Sequence, residues 1–345
     1  MKFGFDSLKA FHRWPSNWSK PATFLGQILR PLVASWMNKK RLKIAKAPRV
    51  ATQIPIVCVG NIILGGAGKT PLVASLASKL QKAGFKPGIV SRGFGGRVKS
   101  LPIEVTEQSL PIKVGDEPLM LKKRTGCPVI VCRDRALAIK RLHFHYPVDV
   151  ILSDDGLQNT GMWRDFSICV FNKEQGIGNG LEMPFGPLRE PISAVHHMDA
   201  IVVSGTGHPK EMLTELGIET KTPTFGSVAQ MTHVYRSDQP AIRRPLNDLK
   251  DHGRFDAVAG IASPRRFFEG LQQAGLIIEE HAFADHHAFS VSDIAELSHV
   301  ITTEKDAVKL LHLLKEPFWI VVLDSLQPEF DKWLIDSLKN WSVRL

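Results

Sequence analysis

At 345 residues, 43% hydrophobic and 23% charged, the chain has room for two domains of ordinary size or one large one. Its composition is that of a globular protein with a real core, which excludes a disordered or fibrous chain. The formal charge of +10 is concentrated in the first 49 residues, which hold eleven Lys or Arg and one acid, Asp6, whereas the 33 basic and 33 acidic residues of the remainder cancel.

The basic leader is also aromatic, carrying Phe3, Phe5, Phe11, Trp14, Trp18, Phe24 and Trp36. That combination favours an anionic lipid surface over nucleic acid as its partner. Phe24, Leu25, Ile28, Leu29, Leu32, Val33, Trp36 and Met37 recur at helical spacing, followed by Lys39, Lys40, Arg41, Lys43 and Lys46. A core-covering helix with a solvated basic end fits the pattern, and so does an amphipathic helix lying on a membrane. Three of the seven tryptophans fall in this leader, which favours the membrane. Arg30 and Pro31 interrupt the apolar stretch, and a spanning helix needs about 18–20 apolar residues, so the chain is expected to rest on a bilayer and not cross it. No secretory signal is seen. Cys58, Cys127, Cys132 and Cys169 lie far apart without a C-x-x-C pair, as expected of buried free thiols in a reducing compartment.

From residue 54 short apolar runs alternate with amphipathic segments. Residues 54–59 read as a strand, 69–83 as a helix and 88–91 as a strand; 129–132, 134–144 and 148–153 repeat the strand, helix, strand order. Residues 166–171 and 200–204 read as further strands. A Gly/Pro-rich loop spans 176–191. A less regular stretch precedes a second α/β series, which takes in 255–260, a helix over 264–274, then 276–283, 303–314 and 319–323, and a final helix over 330–341. The expected fold is α/β: a P-loop NTPase-like parallel sheet with helices on both faces, plus a second, smaller α/β lobe. The boundaries read as a leader over 1–47, a nucleotide domain over 48–171, a second lobe over 172–325 closing an interlobe cleft, and a C-terminal helix over 326–345.

The densest motif is Gly60-Asn61-Ile62-Ile63-Leu64-Gly65-Gly66-Ala67-Gly68-Lys69-Thr70, between an expected strand and an expected helix. Such a loop turns backbone N–H groups toward phosphates, with Lys69 reaching the β- and γ-phosphates of ATP and Thr70 ligating Mg²⁺. Ile63 stands where the strict motif has a glycine. Val148-Asp149-Val150-Ile151-Leu152-Ser153-Asp154-Asp155 supplies acids at a strand end, suited to the metal. Asp116 and Glu117, in Gly115-Asp116-Glu117-Pro118, open a helix; as residues alone they complement its dipole. His286 and His287 follow Asp285 and suit a surface pair, a metal ligand set, or a partner for a carboxylate that engages a hydroxyl. Gly186-Pro187-Leu188-Arg189-Glu190-Pro191 suits equally a rigid interlobe turn and a clamp on a transferring phosphoryl group. These motifs alone fit a lipid kinase, a kinase of a soluble small molecule, or a regulatory NTPase; the aromatic leader argues against the second.

Taken together, V-G-N-x₃-G-G-x-G-K-T-P, S-R-G-F-G-G-R, G-D-E-P, D-D-G-L-Q, G-P-L-R-E-P, D-H-H and T-E-K-D-A-V-K run in order from Val59 to Lys309. In this the chain resembles the tetraacyldisaccharide 4′-kinase family. The resemblance implies ATP-dependent phosphorylation of the 4′-hydroxyl of a tetraacyldisaccharide 1-phosphate, giving lipid IVA in lipid A biosynthesis at the cytoplasmic face of a Gram-negative inner membrane. It implies catalysis between two lobes, Asp116 as the base at the hydroxyl with His286 as its partner, and Glu117, Asp154 and Asp155 beside Thr70 for the metal. Arg189 and Glu190 would line the transfer cleft, and Gly60, Asn61, Gly65, Gly66, Ala67, Gly68, Lys69 and Thr70 would hold the nucleotide. Neither nucleic acid nor an obligate protein partner is implied. Asn159 departs from the family's histidine, and Ser204-Gly205 from its Asn-Gly.

Overall fold

A run of five buried residues, Ile56-Val57-Cys58-Val59-Gly60, makes the central strand β1 (Ile56–Gly60). Strands apolar on both faces belong inside a parallel sheet covered on two sides. Here Val57 and Val59 enter one core and Ile56 and Cys58 the other, as the strand's period of two requires. The computed structural model describes residues 53–98, 101–159 and 161–341, together with Pro15, Trp18, Ile28, Pro31 and Ser35. The leader helix expected between Phe24 and Met37 otherwise lies outside the described residues.

After β1 come α1 (Lys69–Lys82), β2 (Pro87–Ser91), β3 (Ile103–Val105), α2 (Pro111–Val114) and α3 (Asp116–Thr125). Then follow β4 (Val129–Val131), α4 (Arg135–His145), β5 (Val150–Asp154), β6 (Phe166–Asn172), β7 (Ala200–Ser204) and α5 (Pro209–Glu215). The second half holds β8 (Thr224–Arg236), β9 (Gln239–Pro245), β10 (Arg254–Ala259), α6 (Pro264–Gln273), β11 (Ile277–Ala282), α7 (Val291–Ile294), β12 (Val300–Thr303), α8 (Glu304–Leu310), β13 (Trp319–Leu326) and α9 (Pro328–Lys339). The 303–314 segment of the second series holds α8, which begins directly after β12 ends at Thr303.

One sheet runs through the molecule in the order β11-β10-β12-β13-β8-β7-β6-β1-β5-β2-β4-β3, with β9 beside β8. We call the β1–β7 part the first lobe and the β9–β13 part the second. The sheet is mixed, which corrects the expectation of a parallel one. β3 runs against β4, and β8 runs against both β13 and β9. Two residues separate β8 from β9, enough for a hairpin but far too few for the crossover a parallel pair needs. β8 spans both halves: Thr224–Ser227 pairs with β7, and from Val228 the strand pairs with β13.

Helices cover both faces of the first lobe. Leu72, Leu76 and Leu80 of α1 and Leu119 and Leu121 of α3 share one core with Phe330, Leu334 and Leu338 of α9. The C-terminal helix therefore returns to the first lobe. Ala138, Ile139 and Leu142 of α4 and Leu213 of α5 fill the other. In the second lobe, Phe267, Phe268 and Leu271 of α6 pack on one face, and Ile294, Ala307 and Leu310 on the opposite one. Val308, also on α8, points the other way into the α1–α3 core and so joins the lobes. All four cysteines are buried free thiols.

Candidate active site

The loop from Gly60 to Thr70 leaves the carboxyl end of β1, the edge of an α/β sheet where ligands collect. Gly65 and Gly68 adopt φ of 120° and 80°, which a side chain would resist. Ile63 explains its own departure from the strict motif. It is 2% exposed, packs in the α4-side core and pairs with Leu188. Leu64 N donates to Pro187 O at 2.9 Å and Arg189 N to Ile62 O at 2.7 Å, so the 186–191 loop is zipped along the glycine loop. Lys69 Nζ donates to Asn61 Oδ1 at 3.1 Å and stands 3.5 Å from Asp155 Oδ1. Thr70, in the first turn of α1, lines the same cleft.

β5 lies beside β1 and brings Asp154 level with Val59. Asp154 is 2% exposed and its Oδ1 has no partner. Burial, then the neighbouring carboxylates of Glu117 and Asp155, push its pKa up to about 7. Asp155 holds φ at 49° and receives Arg189 Nη1 on both carboxylate oxygens at 3.1 Å. Burial works upward on Asp155, but Lys69 and Arg189 outweigh it and hold its carboxyl below the ordinary range. Beneath them the buried guanidinium of Arg135 donates to Cys132 O and Asp154 O. Asp154, with a buried carboxylate oxygen lacking a partner and the carboxylates of Glu117 and Asp155 as neighbours, has the oxygen chemistry that suits a hard divalent cation.

The other side of the site is built at the start of α3. Asp116 is 5% exposed and accepts His286 Nδ1 on Oδ2 at 2.9 Å and on Oδ1 at 3.0 Å, with Glu117 N on Oδ1 at 2.9 Å. Lys309 Nζ lies 3.8 Å away. Burial opposes its charge, but the His286 hydrogen bond and the Lys305 and Lys309 ammoniums overcome that and lower its pKa. Burial likewise disfavours the imidazolium of His286, yet the Asp116 bond and the nearby carboxylates raise its pKa on balance, against the pull of Lys305. His286 has φ of 58° and meets Phe94 edge-on at 5.1 Å. Backbone strain of this kind, at Asp155 and His286 together, accumulates where a site over-determines geometry. His287 turns away, bonding Asp293 at 3.2 Å and stacking on Phe283. The two histidines therefore do not share a ligand.

One cleft of about 2680 Å³ gathers Lys69, Thr70, Glu117, Asp154, Asp155, Arg189, Glu190 and His286 on its walls. Asp116 stands just behind His286 and Glu117, and Asn61 is fully buried beneath the loop. The motif reading assigned no role to Gln158, Lys305 or Lys309. Gln158 Nε2 donates to Asn61 O and Glu190 Oε1, both at 2.9 Å, and its Oε1 accepts from Arg189 at 3.3 Å. All three lie inside recognised motifs, but only the folded geometry shows what they touch.

The family model described as tetraacyldisaccharide-1-P 4′-kinase matches residues 23–339. The chain belongs to this family. Among curated tetraacyldisaccharide 4′-kinases, that of Dechloromonas aromatica is 39% identical over 328 residues, covering 94% of this chain and 95% of the relative. Those of Methylobacillus flagellatus and Coxiella burnetii (strain RSA 493) are 38% and 36% identical over 350 and 327 residues, covering 98% and 91% of each chain. The fold matches a crystal structure of LpxK from Aquifex aeolicus, described as an apo form in complex with ATP. The TM-score is 0.74 at 23% identity, over 91% of this chain and 99% of that one.

Proposed function

We propose that this family member transfers the γ-phosphoryl group of ATP to the 4′-hydroxyl of a tetraacyldisaccharide 1-phosphate, forming lipid IVA in lipid A biosynthesis. One observation carries the residue assignment: a single cleft joins a glycine loop and its lysine to a buried carboxylate–histidine pair, with Glu117 between them. The backbone N–H groups of Gly65, Gly66, Ala67 and Gly68 cradle the phosphates, in a loop shaped by Gly60 and Asn61. Lys69 neutralises charge on the β- and γ-phosphates. Thr70 and Asp154 would hold Mg²⁺, with Asp155 and Glu117 beside them, and a bound ion would supply screening of the charge on the phosphates. Arg189 is aimed by Asp155 and Gln158, and Glu190 by Gln158, so both face the transferring group in fixed positions.

Asp116, kept ionised by its partners, accepts the proton of the 4′-hydroxyl as that oxygen attacks phosphorus and the bond to ADP breaks. The hydroxyl approaches past Gly95. A Cβ there would come within 3.7 Å of His286 Nδ1 and 3.9 Å of Asp116 Oδ1, so glycine keeps the approach open. No helix among the described residues is long and apolar enough to cross a membrane. The basic, aromatic leader is assigned to docking on anionic lipid at the cytoplasmic face of the inner membrane.

The test is transfer of labelled γ-phosphate from Mg-ATP to the tetraacyl disaccharide 1-phosphate in mixed micelles, for wild type and Asp116→Asn. Lipid product from wild type and a loss of about 10²–10⁴ in kcat for the variant, at unchanged nucleotide affinity, are expected. An unaltered rate removes Asp116 as the base. ATP hydrolysis without lipid product replaces the kinase with an NTPase switch.

A further inference from the structure

Lys305 is the second residue of α8, a helix of the second lobe, and its side chain is 15% exposed. Its Nζ reaches three acceptors: Asp285 Oδ1 at 2.9 Å, Glu117 Oε1 at 3.2 Å and His286 Nε2 at 3.2 Å. An ammonium carries three hydrogens and no lone pair, so three donors meet three acceptors and the count closes.

From this geometry we infer that Lys305 is a positioning residue that locks His286 in the tautomer needed to orient Asp116; the inference rests on the reading that Asp116 and His286 handle the acceptor hydroxyl. Because Lys305 only donates, the neutral ring of His286 carries its lone pair on Nε2. Nδ1 then bears the hydrogen and gives it to Asp116. The opposite tautomer sets Nε2–H against an ammonium and the Nδ1 lone pair against a carboxylate, which is repulsive at both ends. Asp285 completes the clip, since its Oδ1 accepts from both Lys305 Nζ and the backbone N–H of His286. That second bond pins the residue whose φ is 58°. The carboxylates of Glu117 and Asp285 sit directly against Nζ and hold it as a donor.

The arrangement also crosses the cleft. Glu117 and Asp116 belong to α3 of the first lobe, whereas Lys305, Asp285 and His286 come from the second. One side chain thus ties the carboxylate on the metal side to the imidazole on the hydroxyl side. A plain ion pair between lobes makes different predictions, because it would act independently of His286.

The experiment is a double-mutant cycle on lipid phosphorylation with wild type, Lys305→Met, His286→Ala and the double variant, alongside ¹⁵N spectra of the histidine rings. Lys305→Met is expected to lower kcat about 10- to 100-fold, as for other residues that orient a catalytic group, with the KM for ATP unchanged. The double variant should be no slower than His286→Ala, because Lys305 acts through that ring. At a pH where the ring is neutral, the His286 Nδ1 of wild type should resonate as a protonated nitrogen and Nε2 as an unprotonated one, with a mixture in Lys305→Met. Multiplicative losses in the double variant, or the Nε2–H tautomer in the neutral ring of wild type, would overturn the proposal. If Lys305→Met does not fold, the wild-type spectrum still decides it. Absence of lipid product from wild type would reject the acceptor reading instead, and the spectrum separates that failure from this one.

Discussion

Gly66 shows how much one residue can decide. Unlike Gly65 and Gly68 it is not in the left-handed region, so its backbone would accept a side chain. A Cβ there would sit 2.8 Å from the Cβ of Ala262, which leads into α6 of the second lobe. The lack of a side chain therefore lets the lobes touch across the glycine loop. Gly66→Ala is expected to prise them apart and lower kcat/KM for ATP roughly 10- to 100-fold, since small misplacements in a transfer site are expensive. Ala262→Gly in the same chain should restore most of the loss. Steady-state kinetics of the single and double variants check this, and failure of the rescue would show that the loop was damaged locally. At Ile63 the opposite holds: a bulky residue is tolerated because it packs into the core and pairs with Leu188.

At the scale of elements, α3 lies against α8 along a charged seam, with Asp116 and Glu117 at one end and Arg124 at the other. Arg124 Nη1 donates to Glu304 Oε2 at 2.9 Å and to Leu323 O at 2.7 Å, while Nη2 meets Asp324. Glu304 is 7% exposed, so Arg124→Met leaves a buried carboxylate without its guanidinium. Breaking such a pair from one side costs about 3–5 kcal/mol, measurable by urea unfolding. The pH dependence follows in sign. Burial raises the Glu304 pKa above 4.5, while Arg124 and Arg243 oppose the rise. The folded state therefore holds a proton that the unfolded state has released, and this group's stability contribution falls as pH rises from the ordinary carboxylate value through the folded one. Removing Arg124 raises the folded pKa further. The deficit of Arg124→Met should then grow from mildly acid to neutral pH and shrink where Glu304 is protonated.

Over the whole molecule, two lobes share one sheet through β8, and α9 crosses back so that Phe330 and Leu334 are buried with α1. The leader meets the body at Trp18, whose Nε1 donates to Pro184 O at 3.2 Å and whose carbonyl accepts from Asn179 N at 2.8 Å. Deleting residues 1–47 is expected to impair use of lipid substrate far more than ATP binding. Parallel titrations with substrate in micelles and with nucleotide check it, and equal losses in both would reject a substrate-delivery role for the leader. The strands β1, β5, β6 and β7 were legible because they are continuous apolar runs between turn residues. β8 was not. Its Thr224–Arg236 sequence mixes Gln230, Thr232 and His233 with half-buried apolar residues, because the strand changes partners midway and faces different surroundings along its length.

The sequence by itself determined the α/β alternation, the glycine loop and its lysine, the acids at the end of β5, and the family, because each of these is written in consecutive residues whose spacing follows local geometry. What joins residues distant in the chain had to await the tertiary structure. Asp116 and His286 are 170 positions apart, and Lys305 and Glu117 188 apart, and nothing in their spacing pairs them. Nor does composition reveal that β8 runs antiparallel to β13, or that the final helix packs on the first lobe. Such contacts depend on which buried faces meet once the sheet is assembled, so only the packed structure carries them.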